Sequence, residues 1–215
     1  MVRWWRRPPA RDMMTISRFF FCFCVMVAVW AGAGTAAAGS FNTVVIDAGH
    51  GAHDFGANRG SVFDKHIALD VARRLERFLR KNGVRTVMTR SNDRFIPLGT
   101  RAGIGNRSGR SVFVSIHVND ARRRSAAGVE TFYHVREGQK LAALVQREML
   151  RNTNHGGNRG VKFARFKVLR ESSRPAILVE TGFASNSGDQ KRLRDPRYRE
   201  AIAQSIGIGL LNYRR

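Results

Sequence analysis

Short apolar runs rich in β-branched residues alternate with helical patterns along most of this 215-residue chain. We expect six strands from these runs: TVVID (43–47), RTVMT (85–89), SVFVSIH (111–117), GVETFYH (128–134), FKVLR (166–170) and AILVE (176–180). Apolar residues recur at helical spacing in DKHIALDVARRLERFLRKNG, GQKLAALVQREMLRN and PRYREAIAQSIGIGLLNY. Strands that alternate with helices predict an α/β fold, in which helices cover both faces of a sheet.

The first 38 residues differ in composition from the rest of the chain. Arginines precede an apolar stretch, FFFCFCVMVAVWAGAG, and TAAAGS then offers a small-residue cleavage site near Ala38, as in an export signal. A competing interpretation is an uncleaved anchor, because residues 19–38 approach the length needed to cross a bilayer. No repeat or low-complexity tract interrupts residues 39–215, so we expect a single catalytic domain there.

Charge and cysteine content narrow the classes of protein that this chain can belong to. Both cysteines lie in the leader, so residues 39–215 have no disulfide and no thiolate ligand. That part of the chain carries 33 Lys and Arg against 15 Asp and Glu, a net charge of +18. The arginines are scattered and no nucleic-acid-binding motif accompanies them, so we expect no physiological nucleic acid. An exported protein of this charge would instead be attracted to anionic wall or outer-membrane polymers.

Polar residues that could hold a metal follow three of the predicted strands. His50 follows TVVIDAG, His117 closes SVFVSIH and Glu180 closes AILVE, while Asp64 lies at the start of the first helix. Two imidazoles, one carboxylate and one open position are what a catalytic zinc needs, and a further carboxylate must remain free as the base. Because the ends of neighbouring strands meet at one sheet edge, these groups could converge there.

Each of these residues also has a structural interpretation. His50 could occupy a turn position, His117 could be a hydrogen-bonded core histidine, and Asp64 could cap the helix. A buried Glu180 is harder to explain without a nearby cation, because burial of an unpaired carboxylate is costly. The separations along the chain are too long for a short-range zinc motif, so the residues alone support the metal site only weakly.

Several motifs together resemble the zinc-dependent N-acetylmuramoyl-L-alanine amidases of the amidase type 3 family. The resemblance rests on VVIDAGHGAHDFGA, VFVSIHVNDA, GVETFY and VETGFASNSGD in that order, and it extends over nearly all of residues 41–213. It implies an α/β domain with a twisted, mixed, six-stranded central sheet and one Zn²⁺ per chain. It also implies hydrolysis of the amide between the lactyl group of N-acetylmuramic acid and the L-alanine of a peptidoglycan stem.

By position, the resemblance makes His50 and His117 zinc ligands and Glu180 the catalytic residue. The family's third ligand is the glutamate of a Glu-Lys-Asp triplet, and here that triplet reads Asp64-Lys65-His66. Aspartate also ligates zinc but is one methylene shorter, so the helix start must lie closer or the metal must shift. His66 could substitute, but it would point away from Asp64 on a helix, so we assign the third ligand to Asp64.

Further expectations concern the surroundings of the site. Asp47 could orient the imidazoles, and Asn119, Arg170 and Arg174 are candidate contacts for peptidoglycan. We expect an exported monomer in the periplasm, the cell envelope or the extracellular space. Two alternatives remain: a wall-binding protein that has lost catalysis, and another zinc hydrolase of the wall, such as a peptidase or a deacetylase.

Overall fold

A computed structural model describes residues 40–215. The proposed leader or anchor at residues 1–38 lies outside the described residues. Within the described part, no helix is both long enough and apolar enough to cross a membrane.

Residues 40–215 form eight strands and six helices. The strands are β1 (Thr43–Ala48), β2 (Asn58–Arg59), β3 (Val62–Phe63), β4 (Arg85–Met88), β5 (Ser111–Asn119), β6 (Val129–Tyr133), β7 (Asn158–Phe163) and β8 (Ala176–Phe183). The helices are α1 (Asp64–Lys81), α2 (Leu98–Arg107), α3 (Arg136–Asn152), α4 (Lys167–Arg170), α5 (Ser187–Arg194) and α6 (Pro196–Arg214).

Six of the strands form one mixed sheet in the order β4-β1-β5-β8-β6-β7, and β2 pairs with β3 in a separate hairpin. Strands β4, β1, β5 and β8 are parallel, β6 runs antiparallel to β8, and β7 is parallel to β6. The predicted mixed six-stranded sheet is therefore confirmed. Its register places His117 of β5 opposite Glu180 of β8, and Glu180 opposite Glu130 of β6.

Helices cover both faces of the sheet, as the sequence predicts. The larger core lies beneath α1, α3 and α6, where residues such as Leu75, Leu141 and Ile206 are fully buried. The smaller core joins β1, β5 and β8 to α2 and α4, and includes Phe113 and Leu169. Apolar residues at helical spacing thus predict the buried faces of the long helices correctly.

One of the six predicted strands is wrong. FKVLR (166–170) is not a strand: Lys167–Arg170 forms the single-turn helix α4, and the sixth strand is β7 (Asn158–Phe163). The backbone N–H groups of Leu169 and Arg170 donate to the carbonyl of Phe166 at 3.0 and 2.9 Å, as in a helical turn. β7 has a polar sequence because it is an edge strand, and this made it hard to predict.

Helices α3 and α6 pack so closely that a glycine is needed between them. A Cβ atom at Gly209 would lie 2.7 Å from the Cα atom of Val145. We expect Gly209→Ala to lower the free energy of unfolding by about 1–3 kcal/mol, because backbone atoms would have to move apart. Urea unfolding followed by circular dichroism measures this change.

Gly103→Ala in α2 is the matched control. A Cβ atom there would meet only the end of the Arg107 side chain, at 3.2 Å. This end can move, and alanine favours a helix by up to about 1 kcal/mol over glycine, so Gly103→Ala should be neutral or stabilising. Equal losses of stability in both variants would contradict the close packing of α3 against α6.

Candidate metal centre

Two buried arginines shape the loop that carries His50. This loop follows β1, and His50 adopts a left-handed backbone conformation with φ of 59°. Arg101 donates hydrogen bonds from Nη1 to the carbonyl of Ala48 and from Nη2 to that of His50, both at 2.6 Å. Arg90 donates from Nε to the carbonyl of Ala48 at 2.9 Å and from Nη2 to that of Gly49 at 2.6 Å. The loop conformation is therefore held by fixed cationic donors.

Glycines in the same loop make room for the imidazoles. A Cβ atom at Gly49 would lie 2.2 Å from the ring of His117, and one at Gly56 would lie 2.5 Å from the ring of His50. The glycines of DAGHGAHDFGA thus let two histidine rings approach the backbone at the end of β1.

His50, Asp64 and His117 converge at the carboxyl end of the parallel strands. Asp64 Oδ2 lies 2.9 Å from His50 Nε2 and 3.3 Å from His117 Nδ1, and the two ring nitrogens are 3.1 Å apart. Asp64 is the first residue of α1 and is almost fully buried. Its side chain does not cap the helix, which contradicts the structural interpretation of this residue.

These three side chains fit a divalent metal such as zinc. Ligand atoms about 2.0–2.1 Å from a tetrahedral zinc lie about 3.3 Å from one another, close to the spacing observed here. Asp64 Oδ1 is buried without a hydrogen-bond partner. Within residues 40–215, no fourth histidine, cysteine or carboxylate joins the group. Three protein ligands and one open position are typical of catalytic zinc rather than structural zinc.

The pKa values of the three side chains are shifted mainly by burial and by the attraction between Asp64 and the two histidines. Burial opposes charge at all three, but the pKa of Asp64 is still lowered by His117 and His50. The pKa of His50 is raised by Asp64 and then Asp54, and the pKa of His117 is raised by Asp64 and then Glu180. The site therefore favours an anionic carboxylate that faces positive charge.

Glu180 lies beside this cluster without contacting it through a hydrogen bond. Its Oε2 atom is buried and has no partner among the described residues. Burial raises the pKa of Glu180 to about 8; His117 opposes this shift, whereas the carboxylates of Asp64 and Glu130 add to it. A carboxylate that stands free next to a metal site is what a general base requires.

A second layer of contacts orients the imidazoles. Asp47 does not touch either ring: its Oδ2 accepts a 2.7 Å hydrogen bond from Ser115 Oγ, which lies 3.1 Å from His117 Nε2. Asp54 Oδ2 lies 2.8 Å from His50 Nδ1, and this carboxylate raises the pKa of His50 after Asp64 does. Asp54 and Ser115 are not among the site residues predicted from the sequence, although Asp54 stands in the same polar stretch as His50.

The three predicted substrate contacts are placed differently from one another. Asn119 lies two residues beyond His117, and its Nδ2 donates a 2.6 Å hydrogen bond to Glu130. Arg170 is exposed at the end of α4 and does not line the metal cavity. Arg174 lies just before β8, beside Ser40 and Arg110. It is therefore at the amino end of β8, whereas the metal cluster lies at the carboxyl end of the parallel strands. The structure therefore brings only Asn119 near the site.

A cavity of about 460 Å³ adjoins the cluster. Polar groups at its base include His50, His117 and Glu180. The walls are mainly apolar and come from the segment before α2 and from α4 and β8; their residues include Phe95, Ile96, Leu98, Phe166, Val168 and Leu178. Exposed aromatic side chains at a polar site are typical of ligand-binding cavities.

An α/β sheet with a His–Asp–His cluster and a free carboxylate at its edge indicates a metal-dependent hydrolase. The family model described as N-acetylmuramoyl-L-alanine amidase matches residues 44–212. The chain belongs to this family.

Three known proteins illustrate the relationship. N-acetylmuramoyl-L-alanine amidase LytC of Bacillus subtilis is 35% identical over 177 residues, which cover 80% of this chain but only 36% of LytC. The crystal structure of an N-acetylmuramoyl-L-alanine amidase from Clostridium difficile 630 superposes with a TM-score of 0.77 at 33% identity, covering 81% of this chain and 97% of that one. Amidase AmiC2 of Nostoc punctiforme also gives 0.77, at 40% identity, with 81% and 98% covered.

The contact from Asp47 through Ser115 to His117 generates a prediction about metal affinity. If Nδ1 of His117 ligated a metal, Nε2–H would donate to Ser115 Oγ, 3.1 Å away, and this contact would fix the ring. We expect Ser115→Ala to weaken zinc binding by about 10–100-fold, the usual effect of losing such a partner. Competition with a chromophoric chelator measures the affinity.

Ser111→Ala is the control for this variant. Ser111 is also buried on β5, but its hydroxyl donates to the carbonyl of Gly105 and does not reach the metal site. Zinc affinity in Ser111→Ala should stay at the wild-type value. A similar decrease in both variants would mean that β5 was generally disturbed, and would remove the specific role of Ser115.

Proposed function

We propose that this protein is a zinc-dependent N-acetylmuramoyl-L-alanine amidase. It would hydrolyse the amide between the lactyl group of N-acetylmuramic acid and the L-alanine of the peptidoglycan stem. The observation that carries the proposal is the convergence of His50, Asp64 and His117 beside the unpartnered carboxylate of Glu180. Family membership supports the choice of substrate. This chain spans little more than a third of LytC, so its activity as a whole protein is part of the proposal.

One zinc ion would be held by His50 Nε2, His117 Nδ1 and Asp64 Oδ2. Zinc supplies a Lewis acid that polarises the amide carbonyl and acidifies a water molecule. Glu180 lines the cavity next to these ligands and can take a proton from a water there. It can then return the proton to the departing alanine nitrogen, which leaves as an amine.

The cavity walls suit the muramoyl side of the substrate. Phe95 and Phe166 are about 40% exposed at the cavity, so their rings are accessible to a ligand. Aromatic faces stabilise the apolar face of a sugar ring, and the lactyl methyl group adds to the apolar surface. Arg101 and Asp47 lie at the base but are already paired with each other, so they would shape the cavity rather than bind substrate.

The location of the protein follows from its substrate and its charge. Residues 1–38 would direct export, and the catalytic domain would act as a monomer in the periplasm, cell envelope or extracellular space. Its excess of basic residues would hold it near anionic wall or outer-membrane polymers.

Separate alanine substitutions of Asp64 and His66 test which of the two is the third metal ligand. Asp64→Ala should lose stoichiometric zinc, since two imidazoles alone leave too few protein ligands. His66→Ala should retain zinc, because the His66 side chain is 57% exposed and lies 4.0 Å from Asp93 rather than in the cluster. Metal analysis after dialysis measures both, and full zinc in Asp64→Ala would rule out this ligand.

The role of Glu180 can be separated from metal binding. Glu180→Gln preserves the size of the side chain but cannot accept a proton, so we expect turnover to fall by at least about 100-fold. Zinc content should remain at one per chain. The assay is release of stem peptides with a free L-alanine amino terminus from purified peptidoglycan, with and without a chelator.

Either of two results would contradict the proposal. Wild-type rates in Glu180→Gln would exclude Glu180 as the base. Chelator-resistant release by the wild-type protein would exclude the zinc mechanism. Zinc binding without release of stem peptides would instead favour another hydrolase of the wall, and absence of both zinc and release would favour a wall-binding protein that has lost catalysis.

A further inference from the structure

A group of charged residues beside Glu180 has no role in the mechanism described above. Glu130 on β6 is 2% exposed and pairs in register with Glu180 on β8, so the two side chains lie on the same face of the sheet. Arg159 and Lys162 on β7 both contact Glu130. We call Glu130, Arg159 and Lys162 the β6–β7 cluster.

The charge of the β6–β7 cluster is not balanced. Both oxygens of Glu130 are occupied: Oε1 accepts a 2.6 Å hydrogen bond from Asn119, and Oε2 accepts from Arg159 at 3.0 Å and from Lys162. One carboxylate thus faces two cations, and a net positive charge remains. Within residues 40–215, the two Nη groups of Arg159 donate to no protein acceptor. These donors are free to bind an anion.

Aromatic residues hold both cations in place at the surface. The guanidinium of Arg159 lies 4.8 Å from the ring centroid of Phe183, and Lys162 Nζ lies 5.8 Å from that of Phe132. About a third of each side chain is exposed, 35% for Arg159 and 39% for Lys162. Cations that are positioned in advance and still accessible lose little freedom when they bind a carboxylate.

The position of the cluster relative to the reaction indicates which part of the substrate it would meet. In the sheet, β8 separates β5, which carries His117, from β6 and β7. Glu180 therefore lies between the metal ligands and the β6–β7 cluster. Because Glu180 would protonate the alanine nitrogen, the peptide beyond this alanine can extend across β6 and β7.

We propose that Arg159 and Lys162 bind the carboxylate of the stem residue that follows L-alanine. This inference rests on the proposed amidase function. In stems whose second residue is D-glutamate joined through its γ-carboxyl group, the α-carboxylate is free; in amidated stems the same group is a neutral carboxamide. The subsite would therefore make the protein prefer the acidic stem.

The test compares two soluble muropeptides that differ only in this carboxylate or carboxamide. We expect the wild-type, zinc-loaded full chain to cleave the acidic substrate with a kcat/KM about tenfold higher, because a charge-assisted pair is replaced by neutral hydrogen bonds. Lys162→Met and Arg159→Met should each reduce this preference, mainly through a higher KM for the acidic substrate. The readout is the ratio of the two kcat/KM values, because loss of a cation beside Glu130 affects the cleavage of both substrates through Glu180.

Control variants distinguish binding of the substrate carboxylate by Lys162 from neutralisation of the charge on Glu130. Lys162→Arg retains the charge and should retain the preference. Lys140→Met removes an exposed cation from α3 and should match the wild type on both substrates. If Lys162→Met loses zinc or unfolds at a lower temperature, the double variant Glu130→Gln with Lys162→Met removes both charges together, and it should still show a reduced preference for the acid.

The outcomes distinguish the two proposals. Equal cleavage of both muropeptides by the wild type overturns the subsite and leaves the amidase intact. If Lys162→Met and Arg159→Met both keep the wild-type preference for the acidic muropeptide, the subsite is also overturned. Cleavage of neither muropeptide overturns the amidase proposal, and the subsite with it.

Discussion

The buried ion pair between Asp47 and Arg101 is the interaction on which the site depends. Both side chains are almost fully buried and lie 2.8 Å apart. A buried pair is costly unless its remaining hydrogen-bonding groups are satisfied, and here they are. Asp47 also accepts from Thr89 and Ser115, while Arg101 donates to carbonyls of Ala48, His50 and Ile96. The same pair therefore connects the His50 loop, β5 and α2.

This arrangement compensates for an unfavourable backbone. A left-handed conformation costs a residue such as His50 about 1–2 kcal/mol, which isolated turns do not easily recover. The hydrogen bonds from Arg90 and Arg101 to three successive carbonyls stabilise it. The result is an imidazole pointed at Asp64 and His117. The interpretation of His50 as a turn residue is thus compatible with a functional one, because the left-handed backbone conformation is what positions the ring.

Sequence patterns predicted the parts of the site that follow buried strands. β1, β5 and β8 are strongly apolar, so their first residues could be predicted from the sequence. Their ends were predicted too early, because β5 continues past His117 to Asn119 and β8 past Glu180 to Phe183. Helix α2 was missed because three glycines weaken its helical pattern; the hydrogen bond from Arg101 to Ile96 helps hold its start. β7 was missed because an edge strand need not be apolar. The apolar residues at 166–170 were predicted as the sixth strand instead.

Contacts that depend on pairing between distant segments could not be predicted. Nothing in the sequence shows that β6 runs antiparallel to β8, and only this pairing places Glu130 opposite Glu180. The β6–β7 cluster was invisible for the same reason. Arg170 was chosen at the end of the predicted strand 166–170, which is a helical turn in the structure. Arg174 precedes β8 and so lies at the opposite end of that strand from Glu180. Asp47 was predicted to orient the imidazoles, but its indirect link to His117 through Ser115 depends on the register between β1 and β5, which the sequence does not show.

Asp64 stands where the resemblance described above implies a glutamate, and the surrounding backbone suits the shorter side chain. The shorter aspartate requires the start of α1 to lie close to His50, and backbone hydrogen bonds from Asp64 to Ala57 and from Lys65 to Phe55 hold it there, at 2.8 and 3.3 Å. A Cβ atom at Gly56 would lie 2.8 Å from the Cβ atom of Asp64 and would push the helix away. Because this glycine leaves the space empty, Asp64 Oδ2 reaches within 2.9 Å of His50 Nε2. The start of α1 therefore lies close enough to His50 for the short aspartate side chain to reach the cluster.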